Sequence, residues 1–103
     1  MPLRPLVSYN DTMGLRGRHR RTLGAIFEQP VRADVPWADI EKLLVALGAE
    51  LSAGHGSRVR IYLGGVRAVF HRPHPRKEID RGALRSMRRF LRAAGVDPET
   101  DDA

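Results

Sequence analysis

The chain contains no cysteine, which excludes disulfide staples and thiolate metal sites and leaves cysteine usage silent about the redox compartment. No hydrophobic run approaches the length of a membrane span. The arginines near the N-terminus have no continuous apolar stretch behind them, so no secretory signal is expected and a cytoplasmic protein without membrane contact is. Lysine is scarce too, with two residues against sixteen arginines, and the formal charge is +6. The planar fork of guanidinium suits phosphate, which makes nucleic acid the first partner to consider. Charge alone leaves a second reading open, a solvated basic surface.

What is there organises around residues 54–96. With 103 residues and 42% hydrophobic content, the chain has apolar surface for one small domain with one core. Residues 1–17 show no sustained period and read as a flexible lead. Arg16, Arg18, His19, Arg20 and Arg21 then form a basic cluster at the entry of a short helix over 18–28, with Leu23, Ile26 and Phe27 on one stripe. Pro30 ends it. A second helix opens around Asp34–Pro36 and places Trp37, Ile40, Leu43, Leu44 and Leu47 on one face, with Gly48 as its stop. Residues 49–53 alternate as a half-buried strand, with Ala49, Leu51 and Ala53 on the inner side.

Gly64-Gly65 sets the register of the next hairpin. A two-residue turn pairs Leu63 with Val66, Ile61 with Ala68 and Val59 with Phe70, all on one apolar face. The other face then carries Tyr62 across from Arg67, Arg60 across from Val69 and Arg58 across from His71. A slip of one residue would turn the apolar set into water, so this register is strongly specified. The prolines of His71-Arg72-Pro73-His74-Pro75 end the pairing. Asp80 caps a last helix running to about Ala94, with Gly95 as its stop. Leu84, Met87, Leu91 and Ala94 face the core, while Arg81, Arg85, Arg88, Arg89 and Arg92 are expected to cover the remainder. Residues 97–103 form an acidic tail.

The expected fold class is α+β. It is an α-β-β-β-α unit with an extra N-terminal helix, a three-stranded antiparallel sheet, and the helices on one face. That layout is shared with double-stranded-RNA-binding domains, which read shape and phosphate more than sequence, though topology alone does not establish an activity.

Gly56-Ser57 at a strand start, then a hairpin, then Lys77-Glu78-Ile79-Asp80-Arg81-Gly82-Ala83-Leu84-Arg85-Ser86 leading to Gly95-Val96 resembles the HicA toxins of bacterial toxin–antitoxin pairs. The resemblance spans about residues 39–96. It implies an mRNA endonuclease on a double-stranded-RNA-binding-like fold, held inactive by a HicB-type antitoxin. The family's catalytic histidine follows the Gly-Ser, and here that position is Arg58. Histidine is also common in the family's loop after the third strand, where His74 falls. The helix ahead of Pro30 is an addition to the family's usual length.

Metal-independent RNA cleavage needs a base for the 2′-hydroxyl, an acid for the leaving oxygen, and positive charge at the developing phosphorane. Histidine suits the first two roles and arginine the third. Arg58 stays protonated and cannot act as a base. The candidates are therefore His71, opposite Arg58, then His55 and His74. Arg58, Arg60 and Arg67, joined by Arg72, Lys77, Arg81 and Arg85, are the expected RNA-binding patch. No metal site and no small-molecule cofactor is expected, since no carboxylate supports His71 and His74 at a ligand spacing. The expected partners are mRNA and a HicB-type antitoxin. Two further readings stay open: a non-cleaving RNA-binding or antitoxin-binding module, and an interaction domain docking an acidic protein.

Overall fold

The computed structural model describes residues 15–98. Most of the expected flexible lead (1–14) and most of the acidic tail (99–103) lie outside the described residues. The elements are α1 (Gly17–Ile26), α2 (Trp37–Ala46), β1 (Glu50–Ala53), β2 (Arg58–Leu63), β3 (Val66–His71) and α3 (Arg81–Ala93). The strands form one antiparallel sheet in the order β1-β2-β3. This is the α+β layout expected, with an α-β-β-β-α unit preceded by one more helix. Among the described residues no helix is long and apolar enough to cross a membrane.

The hairpin register is the expected one at all six positions, from Leu63↔Val66 to Arg58↔His71. Gly64 and Gly65 both adopt positive φ, 57° and 81°, the conformation of a two-residue turn whose twist matches the strands it joins. Gly64 is also a close-approach site. A Cβ there would lie 2.5 Å from the carbonyl oxygen of Ala94, so the turn fits under the end of α3 only without a side chain. Along β2 the burial alternates strictly, with Val59, Ile61 and Leu63 inward and Arg58, Arg60 and Tyr62 outward.

The core lies between this sheet face and the helices. Ile40, Leu43 and Leu44 of α2 and Leu84, Met87 and Leu91 of α3 are fully buried against Val59 and Ile61. Trp37, Phe70 and Phe90 form an aromatic chain with successive centroids 6.2 Å apart, linking α2, β3 and α3. The indole N–H of Trp37 donates to Glu41 Oε2 at 2.7 Å, so the one tryptophan is a core residue with its polar end satisfied. Asp80 caps α3, its carboxylate accepting the Ala83 amide at 2.8 Å.

Several expectations need correction. Arg88 does not cover the surface. It is buried, with 7% of its area exposed. Its Nε donates to the Ile26 carbonyl at 2.6 Å, and a terminal nitrogen donates to the Glu28 carbonyl. Periodicity assigns it outward because it cannot foresee that α1 packs over this side of α3. Phe90, absent from the expected core stripe, is buried, while Ala53, placed on the inner side of β1, is exposed at the end of that short edge strand, where no described residue covers it. Leu15 packs with the core, so the fold begins before the expected start of α1. Finally, Val35–Trp37 runs beside Lys77–Ile79, with Trp37 N donating to Lys77 O at 2.9 Å and Ile79 N to Val35 O at 3.0 Å. This two-sided pairing brings the entrances of α2 and α3 together.

Candidate nucleic-acid interface

The sheet face away from the helices carries Arg58, Arg60, Tyr62, Arg67, Val69 and His71, all exposed. A two-residue turn makes Leu63–Val66, Ile61–Ala68 and Val59–Phe70 the hydrogen-bonded pairs. The three outward pairs are then the non-hydrogen-bonded ones, whose Cα atoms approach to about 4.5 Å and whose side chains stand closest together. Arg58 and His71 are one such pair. Tyr62 and Arg67 are another, with the guanidinium carbon 5.3 Å from the ring centroid. The third sets Arg60 against Val69, which is 56% exposed. A depression of about 560 Å³ lies along this face between Arg60, Tyr62, Arg67 and Val69, bordered by Glu50 and Ser52 of β1.

At the far end of β3, His71 borders two further clefts. One, of about 330 Å³, is lined by His71, Arg72, His74, Arg76, Glu78 and Asp80. The other, of about 380 Å³, lies between β3 and α3 and reaches Ser86 and Phe90. Two of the three candidate histidines thus share a cleft. His55 does not line it; it is exposed in the turn before β2, where its carbonyl accepts the Arg58 amide at 3.1 Å.

The expected basic patch divides. Arg58, Arg60 and Arg67 stand together on the open face. Arg72 is held by Glu41 of α2 at 3.1 Å, and Arg81 donates to the Val31 carbonyl at 3.3 Å, so both are tied to the helix layer. Lys77 and Arg85 are exposed and make no ion pair among the described residues. Sequence reasoning located Tyr62 opposite Arg67 but gave the pair no role. Its ring is exposed with a cation over it, and alternation alone does not distinguish such a tyrosine from a half-buried structural one.

Residues 37–96 match the family model described as the HicA toxin of bacterial toxin–antitoxin systems. Comparison with curated proteins and with solved structures returned no match. The matched region begins at the first residue of α2, and α1 lies wholly outside it.

Proposed function

From its membership of the HicA toxin family of bacterial toxin–antitoxin systems, we propose that the chain is the toxin of such a pair and that it binds mRNA on its open sheet face and cleaves it without a metal. The observation that carries this reading is the direct cross-strand pairing of Arg58 with His71. The arginine occupies the position of the family's histidine, and an imidazole stands beside it on the same face.

In this scheme neutral His71 removes the proton of a ribose 2′-hydroxyl. The 2′-oxygen attacks the adjacent phosphorus, the P–O5′ bond breaks, and a 2′,3′-cyclic phosphate forms. Protonated His74, on the same cleft, delivers a proton to the departing 5′-oxygen. Arg58 meets the charge that develops on the phosphorane. The inhibitory partner is a HicB-type antitoxin, which would cover a face this basic with complementary acid.

A second reading is favoured by Arg58 itself: the same surface binds RNA or the antitoxin without cleaving. Purified protein incubated with a labelled RNA, with and without chelator, separates the two. Cleavage lost in His71→Ala and kept in His55→Ala supports the scheme. Cleavage that survives His71→Ala and His74→Ala removes it, and activity gained only in Arg58→His supports the binding module.

A further inference from the structure

Helix α1 has a composition that its position argues against. Arg16, Arg18, His19, Arg20 and Arg21 crowd its first turn and approach, the positive end of the helix dipole, and no acidic residue offsets them there. Local rules broken in this way mark places where something other than stability is served.

The tertiary structure shows where these charges face. Arg18 and Arg21, one turn apart, line a cleft of about 380 Å³ between α1 and α2, with Lys42 of α2 on the other wall. All three are exposed, and none makes an ion pair among the described residues. Of the two carboxylates in the cleft, Asp34 is held by Arg32 through two hydrogen bonds, 2.8 and 2.9 Å, so its charge is already met. That pairing also holds the Asp34 carboxyl below the usual carboxylate range. Only Asp39 stands against the three free cations. The α1 wall is anchored to α3, where Arg88 binds the end of α1 and the Arg92 guanidinium lies 5.0 Å from the Phe27 ring.

The cleft shares Arg18, His19 and Lys42 with a shallow groove of about 600 Å³ that passes Val45 to Leu51 of β1, toward the edge of the sheet. The groove's one carboxylate, Glu41, is already held by Arg72 and Trp37. Leu51 in turn borders the depression that holds Arg60, Tyr62 and Arg67. β1 is an edge strand, so a chain passing from the groove to the depression would round the rim of the sheet.

We propose that the α1–α2 cleft is a second phosphate-binding station for single-stranded RNA, reached from the open face by this track around the β1 edge. It rests on the reading of the chain as an RNA-binding protein and adds to it a contact made by α1, which lies outside the family-matched region, together with Lys42, which lies inside it. An RNA long enough to follow the track is held at both ends, and a short one at the sheet face alone.

The test is a titration of the intact chain with single-stranded RNA about 20 or about 5 nucleotides long, 2′-O-methylated so that it cannot be cleaved, at several salt concentrations. Three lost phosphate contacts lower the slope of log K against log salt by about 2 for a single strand. Arg18→Ala/Arg21→Ala/Lys42→Ala should show that loss and at least tenfold weaker binding of the long RNA, with the short RNA unaffected. Arg18→Glu/Arg21→Glu should weaken the long RNA further, and neither variant should lower Tm, since both relieve positive charge near the positive end of the α1 dipole. If Arg58→Ala/Arg60→Ala weakens the long RNA while the triple variant binds it like wild type, the second station does not exist and RNA binding stands. If neither RNA binds at low salt, the underlying reading fails with it.

Discussion

Replacing Arg88 with methionine keeps most of the side-chain stem and removes only the donors. Those donors serve the end of α1, where a helix leaves carbonyls without partners and carries the negative end of its dipole. Phe27 N and Glu28 N turn back to Leu23, Gly24 and Ala25, which leaves the Ile26 carbonyl to Arg88. Ile26 is fully buried, so its orphaned oxygen cannot recruit water, a loss of about 1–3 kcal/mol. The Glu28 carbonyl belongs to an exposed residue and recovers solvent. Loss of the cation beside the dipole adds about 0.5–1 kcal/mol, and release of the guanidinium from a buried site offsets a part. The net cost is about 2–3 kcal/mol, which for a domain of this size lowers Tm by about 10–20 °C. Urea unfolding of wild type, Arg88→Met and Arg88→Lys measures it, the lysine falling between because one ammonium cannot match the two-point fork. Hydrogen exchange should rise first at α1, whose contacts are to α2 and α3. A methionine variant within about 2 °C of wild type, or a lysine variant that equals it, would refute the clamp.

Three other outcomes follow from the same structure. Gly64→Ala should destabilise by more than about 2 kcal/mol, since left-handed strain of about 1–2 kcal/mol adds to the clash with Ala94 O; Gly56→Ala, at φ +61° with open space around it, should show the strain alone in the same chemical denaturation. Asp80→Ala should cost about 1 kcal/mol through loss of the α3 cap, read as a lower Tm, with Asp80→Asn recovering most of it. Asp34, whose pKa is lowered chiefly by its hydrogen bonds from Arg32, stabilises the fold above its unfolded pKa, and this contribution fades as pH falls through the folded value. Asp34→Asn should therefore lower Tm near neutral pH, and the difference should shrink as pH falls below the unfolded carboxylate range; a drop that does not change with pH would show that the ion pair is not its origin.

Much of the architecture was legible because its determinants are local. The alternation of Val59, Ile61 and Leu63 with Arg58, Arg60 and Tyr62 dictates which face of β2 is buried, and two adjacent glycines dictate the turn, so the cross-strand partners follow by counting. That includes the Arg58–His71 pair on which the proposed chemistry rests. Periodicity likewise placed the buried stripe of α2 and, apart from Arg88 and Phe90, that of α3.

What only the tertiary structure decided depends on residues distant in the chain. Arg88 lies 62 positions from the carbonyl it binds, and Arg72 lies 31 from Glu41. Local pattern assigns each arginine to a surface, but whether that surface meets solvent, a carboxylate or another helix end depends on packing. The same holds for the basic cluster of α1. Its charges are plain in the sequence, whereas the cleft that Arg18 and Arg21 line exists only once α1 has folded against α2.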